Sequence, residues 1–487
     1  MTLRANGANL DGALDHEVPC DDALPQLAVV LNECVMKDVF QRNLFGPGDT
    51  PARLVIENCE ITRVRYKPGK ICTICYRLSI HDPRTHHEVE QTVSARVYAS
   101  GASAAEWSKA QSQEVVTPSI GIAMSYIPEL DLIIWVFPND RKLKALPKLT
   151  SAICLKNELL PEIISAKYSP ACTISDLAID IVNYVPGYSC TVRVRLELQN
   201  RDTNEIRSLV VYGKTYAEGQ GVASFLEMQK LAAFNARERG QLRLAELLNY
   251  DREHQIFWQI GLPGRTLFEH DMTQPNFPVL LESMASALSE LHAIPLAYAK
   301  KLEVHDLTVE LQGARVLLSR SRPSLRKDLD GVIDRLQVQA QSLGAQPVAT
   351  LHGDLHLKNF IVEEGAVTLI DLEDLCRGSP LQDIGSCIAF LLYRGLVLEL
   401  APWLVEKMIV VFVERYQKQT SWPVPANTLN WYVATALINE RAVRCLTRLK
   451  GGGLDMVDQL VRLASKVAGD NNTSHAWIGS AEWSAIL

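Results

Sequence analysis

Two stretches of this chain repeat each other, and the repetition limits the folds open to it. "VRYKPGKICTICYRL" (Val64–Leu78) returns as "VNYVPGYSCTVRVRL" (Val182–Leu196) at an offset of 118 residues, with Val, Tyr, Pro, Gly, Cys, Thr, Arg and Leu coinciding. The same offset pairs "ARVYASG" (Ala95–Gly101) with "GKTYAEG" (Gly213–Gly219), and "YIPELDLIIWVFPNDRKL" resembles "YDREHQIFWQIGLPGRTL" once small gaps are allowed. Gapless agreement at two separated places marks two copies of one unit, at roughly 50–150 and 170–268.

Each copy carries Tyr-x-Pro-Gly, a tight-turn signal, followed by a strand of period two. In the second copy Val192, Val194, Leu196 and Leu198 take one face and Arg193, Arg195 and Glu197 the other. Another strand, "SLVVYGKTY", precedes a helical stretch, "GVASFLEMQKLAAF", and a last apolar pair of strands runs to "GLPGRTL". The expectation is a small antiparallel sheet with one helix, written twice.

From about 270 the chain reads as helical, with Phe277, Leu280, Met284, Leu288 and Leu291 at helical spacing. A hairpin, "NFIV-EEG-AVTLID", interrupts it, and helices resume at Asp383 with breaks expected at Gly395 and Pro402. The expected organisation is 1–165 (an N-terminal segment and the first copy), 166–268 (the second copy), 269–470 (a helical domain) and a tail, 471–487.

At 487 residues the chain exceeds one ordinary core. Hydrophobic residues at 47% and charged ones at 22% place it among soluble globular proteins. A net charge of -7 argues against a general polyanion binder, and aromatic residues do not interleave with basic ones as in stacking platforms for nucleic acid. No apolar run has membrane-spanning length and the N-terminus lacks a signal-peptide core, so no membrane partner and a cytoplasmic location are expected. Eleven scattered cysteines suit reduced thiols, and Cys72-x-x-Cys75 lies on a strand whose alternation sends the two side chains to opposite faces.

The chemistry concentrates in "LHGDLHLKNFIVEEGAVTLIDLED" (Leu351–Asp374). Asp354 and Asn359 lie in a loop, and the hairpin returns the chain so that Asp371 comes back beside Asn359. A carboxylate and an amide oxygen converging there suit Mg²⁺, while Asp354 remains to hold an attacking hydroxyl. Phosphoryl transfer needs this set and a cation near the phosphates. Lys214, on a strand of the second copy, can serve, with Glu227 on the following helix to pair with it. The plainer alternative is that Asp and Asn form ordinary turns and that Lys214 is solvated.

H-G-D-x-x-x-x-N followed after a hairpin by I-D-L-E-D resembles the aminoglycoside phosphotransferase and choline/sugar kinase-like family, over about Asp180–Val467. The resemblance implies an α+β, bilobal protein-kinase-like fold, here with a duplicated, degenerate N-terminal-lobe-like unit in front. It implies ATP and Mg²⁺, with a small-molecule hydroxyl as acceptor. Asp354 matches the catalytic base, Asn359 and Asp371 the metal ligands, and Lys214 the phosphate-binding lysine with Glu227 its partner. The turn of Pro186, Gly187, Tyr188 and Ser189 replaces the loop over the phosphates, and Gln259, Ile260, Gly261 and Leu262 form the adenine hinge. His352 and Asp383 match residues that brace the catalytic loop.

Departures accompany the match. The phosphate turn has one glycine, so weaker backbone N–H contact with phosphate than in a Gly-rich loop is expected; Ile260 stands where the hinge often has a glutamate, and His356 stands where protein kinases have a lysine. Glu373 and Asp374 either assist the metal and substrate or cap the next segment, and His356 either touches substrate or completes the loop's hydrogen bonds. Arg441, Arg444 and Arg448 form a basic stripe, solvated or set to receive an anion. In the first copy Arg96 and Lys109 stand for Lys214 and Glu227 and cannot form that ion pair, so this copy is expected to be non-catalytic. The reading is an ATP-dependent kinase of a sugar, amino sugar or polyol; its rival is a non-catalytic nucleotide-binding scaffold. Oligomeric state is not legible.

Overall fold

A computed structural model describes residues 19, 21–45, 54–83, 86–217, 221–238, 240–297, 300–449 and 453–469. The expected tail, 471–487, lies outside the described residues. The chain forms two compact units: Met1–Val222 with Glu246–Gly261 and Thr447–Leu449, and Ala223–Ala245 with Leu262–Leu446 and Lys450–Leu487.

The first unit holds both copies. Strands β1 (Val55–Lys67), β2 (Ile71–Asp82), β3 (His87–Tyr98), β4 (Met124–Ile127) and β5 (Leu132–Val136) form one sheet. Strands β6 (Cys172–Val185), β7 (Ser189–Asn200), β8 (Ile206–Tyr216), β9 (Leu247–Asp251) and β10 (Ile256–Ile260) form the other. The strand orders are β1-β2-β3-β5-β4 and β6-β7-β8-β10-β9, the same topology twice. Even a β-bulge recurs, between Ile56 and Asn58 and between Ile174 and Asp176. The turns joining the long first strands place Gly69 (φ 71°) and Gly187 (φ 68°) in the left-handed region, as a Pro-Gly turn requires.

The likeness extends further than the sequence reading did. Asp21 Oδ2 accepts hydrogen bonds from the Tyr66 hydroxyl (2.8 Å) and the Gly69 N–H (2.5 Å). Asp140 Oδ2 accepts from the Tyr184 hydroxyl (2.7 Å) and the Gly187 N–H (2.8 Å). After each aspartate come buried residues at a common spacing, Leu24, Leu27 and Val30 in one copy and Leu143, Leu146 and Leu149 in the other. Each sheet is thus preceded by a short helical prelude whose aspartate pins the sheet's own turn. Leu143, Leu146 and Leu149 enter one core with Val192, Val194, Leu196 and Trp258. Cys72 and Cys75 are buried on β2, and burial raises both thiols, Cys75 to about 11. They are core residues.

The second unit is mainly helical, with helices Phe277–Ala293, Val304–Ser321, Arg326–Ala340, Pro380–Val397, Pro402–Gln419, Ala426–Ala436 and Gly453–Gly469. The five apolar residues from Phe277 to Leu291 are buried as their spacing predicts. Two expectations are corrected. The helix at Asp383 begins at Pro380, capped by Ser379, and runs unbroken through Gly395 to Val397. Gly395 serves close approach rather than termination, since a Cβ there would stand 2.6 Å from Val405 Cγ2. The hairpin Phe360–Glu363/Ala366–Leu369 is as expected, turning at Glu364 and Gly365, both at positive φ. The α+β class and the additional front sheet are both present, and no helix among the described residues is long and apolar enough to cross a membrane.

Candidate active site

The loop that carries Asp354 follows a three-residue strand, Ala349–Leu351, paired with Cys376–Gly378 beyond the hairpin. Its geometry is set by Asp383, buried in the first turn of the helix Pro380–Val397. Asp383 Oδ2 accepts from the His352 N–H (2.7 Å) and Oδ1 from the Gly353 N–H (3.1 Å). His292 Nε2 lies 3.1 Å from Oδ2, and its Nδ1 lies 2.7 Å from the Tyr416 hydroxyl. One carboxylate therefore holds two consecutive backbone amides of the loop and is itself held from a distant helix. Charge-assisted bonds of this kind are the stronger ones.

His352, fully buried, joins the loop to the end of the hairpin through Nε2 and the Ile370 carbonyl (3.0 Å). The Asp354 N–H faces its Nδ1 at 3.4 Å. Gly353 has φ 86°, and a side chain there would run into the Asp374 carbonyl. Only glycine meets both conditions.

Asn359 and Asp371 converge as the hairpin argument predicts. The Ile370 N–H donates to the Asn359 carbonyl at 2.9 Å, so the two residues end facing strands. The buried Asn359 side chain donates through Nδ2 to the Asp354 carbonyl (2.9 Å), which turns its amide oxygen the other way. Asp371 is exposed with φ 60°. One amide oxygen and one carboxylate are a hard, sparse donor set. No group of three His, Cys, Asp or Glu fit to hold a metal occurs among the described residues. The set fits Mg²⁺, which takes one or two protein ligands and completes its shell with water and phosphate oxygens.

Asp354 has a partner that sequence reasoning missed. Arg444 donates to its Oδ1 at 2.6 Å. Burial alone would raise the Asp354 carboxyl, but the Arg444 guanidinium outweighs it, holding the group ionised well below the usual carboxylate range. His356 Nε2 lies 3.8 Å from Oδ2, beyond hydrogen-bond range. Burial pushes His356 down to about 3, with Arg441 and Arg444 acting in the same direction against Asp354, so it is neutral. The basic stripe is not one solvated face: Arg441 is buried and bonded to Glu440 (2.6 Å), Arg444 meets Asp354, and Arg448 is exposed. A π turn, Leu437–Ala442, precedes Arg444 and resets the helix phase.

Further cations and aromatic rings continue from there. His356 and Phe390 are 5.6 Å apart between ring centroids, and Phe390 and Phe268 6.1 Å. Arg441 lies 5.2 Å from the Phe390 ring, and Lys358 and Arg394 lie 4.3 and 4.2 Å from that of Phe268. The Nε atoms of Arg394 and Arg441 are buried without a hydrogen-bond partner.

Of the remaining expected residues, Asp374 pairs with Lys300 at 3.1 Å and Glu373 receives a bond on its carbonyl from Ser224. Glu227, in the second unit, gives Oε1 to Lys230 (2.8 Å), while its Oε2 is buried without a hydrogen-bond partner. Lys214, in the first unit, lies on β8 between Thr191 and Phe257, its ammonium 5.4 Å from the Tyr216 ring. The turn Pro186–Ser189 offers few N–H groups to a phosphate, in keeping with its single glycine. The Gly187 N–H is taken by Asp140 and the Tyr188 N–H by the Val185 carbonyl (2.9 Å), because a one-glycine turn closes on itself. At the expected hinge, the N–H groups of Ile260 and Gly261 are used by the Glu246 and Val210 carbonyls.

Residues 214–406 match the model of the phosphotransferase enzyme family, and no curated protein matches the chain. Among solved structures, aminoglycoside-3'-phosphotransferase of type VIII is similar at 15% identity and TM-score 0.37, over 56% of this chain and 95% of that one. Aminoglycoside phosphotransferase APH(4)-Ia, in a complex with ADP and hygromycin B, is similar at 14% identity and TM-score 0.42, over 65% and 99%. Choline kinase LicA from Streptococcus pneumoniae is similar at 13% identity and TM-score 0.38, over 67% and 94%. Across the stretch that carries Lys214, Asp354, Asn359, Asp371 and Asp383, this chain resembles the phosphotransferase enzyme family.

Proposed function

We propose that the chain transfers the γ-phosphoryl group of ATP to a hydroxyl of a small molecule. The observation that carries this is Asp354, ionised and fixed on a loop braced by Asp383, next to the paired ends of the hairpin that bear Asn359 and Asp371. Asp354 Oδ2, which Arg444 leaves open, accepts the hydroxyl's proton and aligns its oxygen for attack. The proton passes from acceptor to Asp354 as the new P–O bond forms and the bond to the β-phosphate oxygen breaks, releasing ADP. Lys214 supplies positive charge to the triphosphate. Asn359 and Asp371 would hold Mg²⁺, which when bound neutralises charge on the phosphates.

A sugar or related polyol is the proposed acceptor class. Arg394, Arg441 and Arg444 stand along the aromatic surface that leads from Asp354, and the carboxylate Glu440 is engaged by Arg441. This charge disfavours a polycationic amino sugar and favours a neutral or acidic acceptor. The test is phosphoryl transfer from ATP to a panel of sugars, polyols, sugar acids and amino sugars, with wild type beside Asp354→Asn. Asp354-dependent transfer supports the reading; ATP binding without transfer to any acceptor leaves the scaffold role.

A further inference from the structure

The first sheet carries a cluster of cations that the proposed reaction does not use. In the second sheet, one row across the strands reads Asn183, Thr191, Lys214 and Phe257. The matching row of the first sheet reads Arg65, Thr73, Arg96 and Ile133. Two residues along, Lys67, Ile71 and Tyr98 form the next row on the same face. Where the second copy has one cation, the first has Arg65, Lys67 and Arg96. Lys70 and Lys142 stand close enough to Lys67, and Arg141 to Arg96, to disfavour their charged forms alongside burial.

Among the described residues, carboxylates balance this charge only in part. Glu106, which feels Arg96 and Arg141, is bonded to Lys109 at 2.6 Å. Asp140 is spent on backbone and tyrosine, its Oδ1 accepting from the N–H groups of Lys142 and Leu143 and its Oδ2 from Tyr184 and Gly187. Exposed lysines alone would be an ordinary solvated patch, and Lys67, Lys70 and Lys142 are exposed. The buried members are not ordinary. Arg96 Nε and the Tyr98 hydroxyl are both buried without a hydrogen-bond partner, and the Arg96 guanidinium lies 5.3 Å from the Tyr98 ring. Leaving such donors unpaired is costly, and gathering like charges adds repulsion. An anion seated on the face relieves both.

We propose that this face of the first sheet is an anion site for a phosphate-bearing ligand, with Arg96 and Tyr98 at its floor and Arg65, Lys67, Lys70, Arg141 and Lys142 around it. Arg65 also lies 5.2 Å from the Tyr188 ring, which walls the site on one side. The first copy has thus lost the Lys214–Glu227 pattern and retained, with more charge, the capacity to hold phosphate. Free oligophosphate and the phosphate tail of a nucleotide share this chemistry.

The test is calorimetric titration of tripolyphosphate into the full chain carrying Lys214→Ala, which removes the other phosphate cation. We expect one binding event, weakened about tenfold by Arg96→Gln, the loss of about one charged contact, and reduced at higher salt. Because Arg96→Gln disturbs a half-buried position, the surface variant Lys67→Ser/Lys70→Ser/Lys142→Ser is measured too, with an expected weakening of at least about fivefold. ATP that displaces tripolyphosphate identifies a nucleotide tail as the ligand; ATP that does not identifies free oligophosphate. Absence of binding in the Lys214→Ala chain, or affinity unchanged in a folded surface variant, overturns the proposal.

Discussion

Arg444 donates to Oδ1 of Asp354 at 2.6 Å across 90 residues of sequence. The contact keeps the proposed base ionised although it is largely buried, and it leaves Oδ2 for an acceptor hydroxyl. Asp354→Asn keeps the shape and removes the base. Transfer should fall about 10²–10⁴-fold while ATP affinity stays within about twofold of wild type. A variant retaining a tenth of the wild-type kcat would end Asp354's role as base.

Arg444→Met tests the second half of that relationship. With its partner gone, Asp354 loses both orientation and the charge that favours ionisation, so kcat should drop about tenfold, about 1.4 kcal/mol of barrier. Acceptor choice should move as well. Removing one cation beside the acceptor surface should raise KM for sugar acids more than for neutral sugars. Competition assays with paired acceptors, such as an aldose and its onic acid, read this directly; equal effects on both would remove charge as a selector.

The candidate site's central segment was legible because its residues are local. Asp354, Asn359 and Asp371 lie within one loop and one hairpin, and the hairpin's alternation fixes where Asp371 returns. Arg444 and His292 were not legible, since they reach Asp354 and Asp383 from helices 90 and 91 residues away, and a side chain's long-range target leaves no periodic trace. The duplication was visible in the sheets but not in the preludes. Asp21, Leu24, Leu27 and Val30 match Asp140, Leu143, Leu146 and Leu149 at an offset one residue longer than that of the strands, carried by four positions among unrelated ones. The scarcity of free N–H groups in the Pro186–Ser189 turn was legible too. A single glycine turns the chain but leaves no run of free N–H groups.

Asp383 organises the loop through the His352 and Gly353 amides. Asp383→Ala orphans the amides of His352 and Gly353 and leaves His292 with one partner, at a cost of about 2–5 kcal/mol. We expect a lower Tm and a lower kcat. Asp383→Asn, which retains an acceptor oxygen, should restore part of both. Wild-type Tm in the alanine variant would show that the loop is held by other contacts.

Gly353 admits no side chain. Gly353→Ala combines a positive φ with a collision against the backbone carbonyl of Asp374, and backbone yields less readily than a flexible side chain. The loss should be at least about 1–3 kcal/mol, with Asp354 displaced and transfer abolished. Gly365→Ala is the control, since its φ of 81° is similar but nothing lies within 4 Å of the added carbon. It should cost about 1 kcal/mol and leave kcat unchanged. Equal damage from both would place the defect in turn strain alone.

Asp21 and Asp140 make the same two bonds through Oδ2 in the two copies, which allows structure and function to be separated. Each alanine substitution removes the acceptor for one tyrosine hydroxyl and one turn N–H, so both should destabilise by about 2–4 kcal/mol, read as similar falls in Tm. Their functional effects should differ. Asp140 fixes the turn Pro186–Ser189, so Asp140→Ala should raise the KM for ATP about 3–10-fold, whereas Asp21→Ala should leave it within about twofold. Asp21 fixes the turn between Lys67 and Lys70, so its loss should weaken tripolyphosphate binding to the first sheet instead. If both variants shifted ATP and tripolyphosphate alike, the two copies would share one ligand site, and the division of labour drawn from their cations would fail.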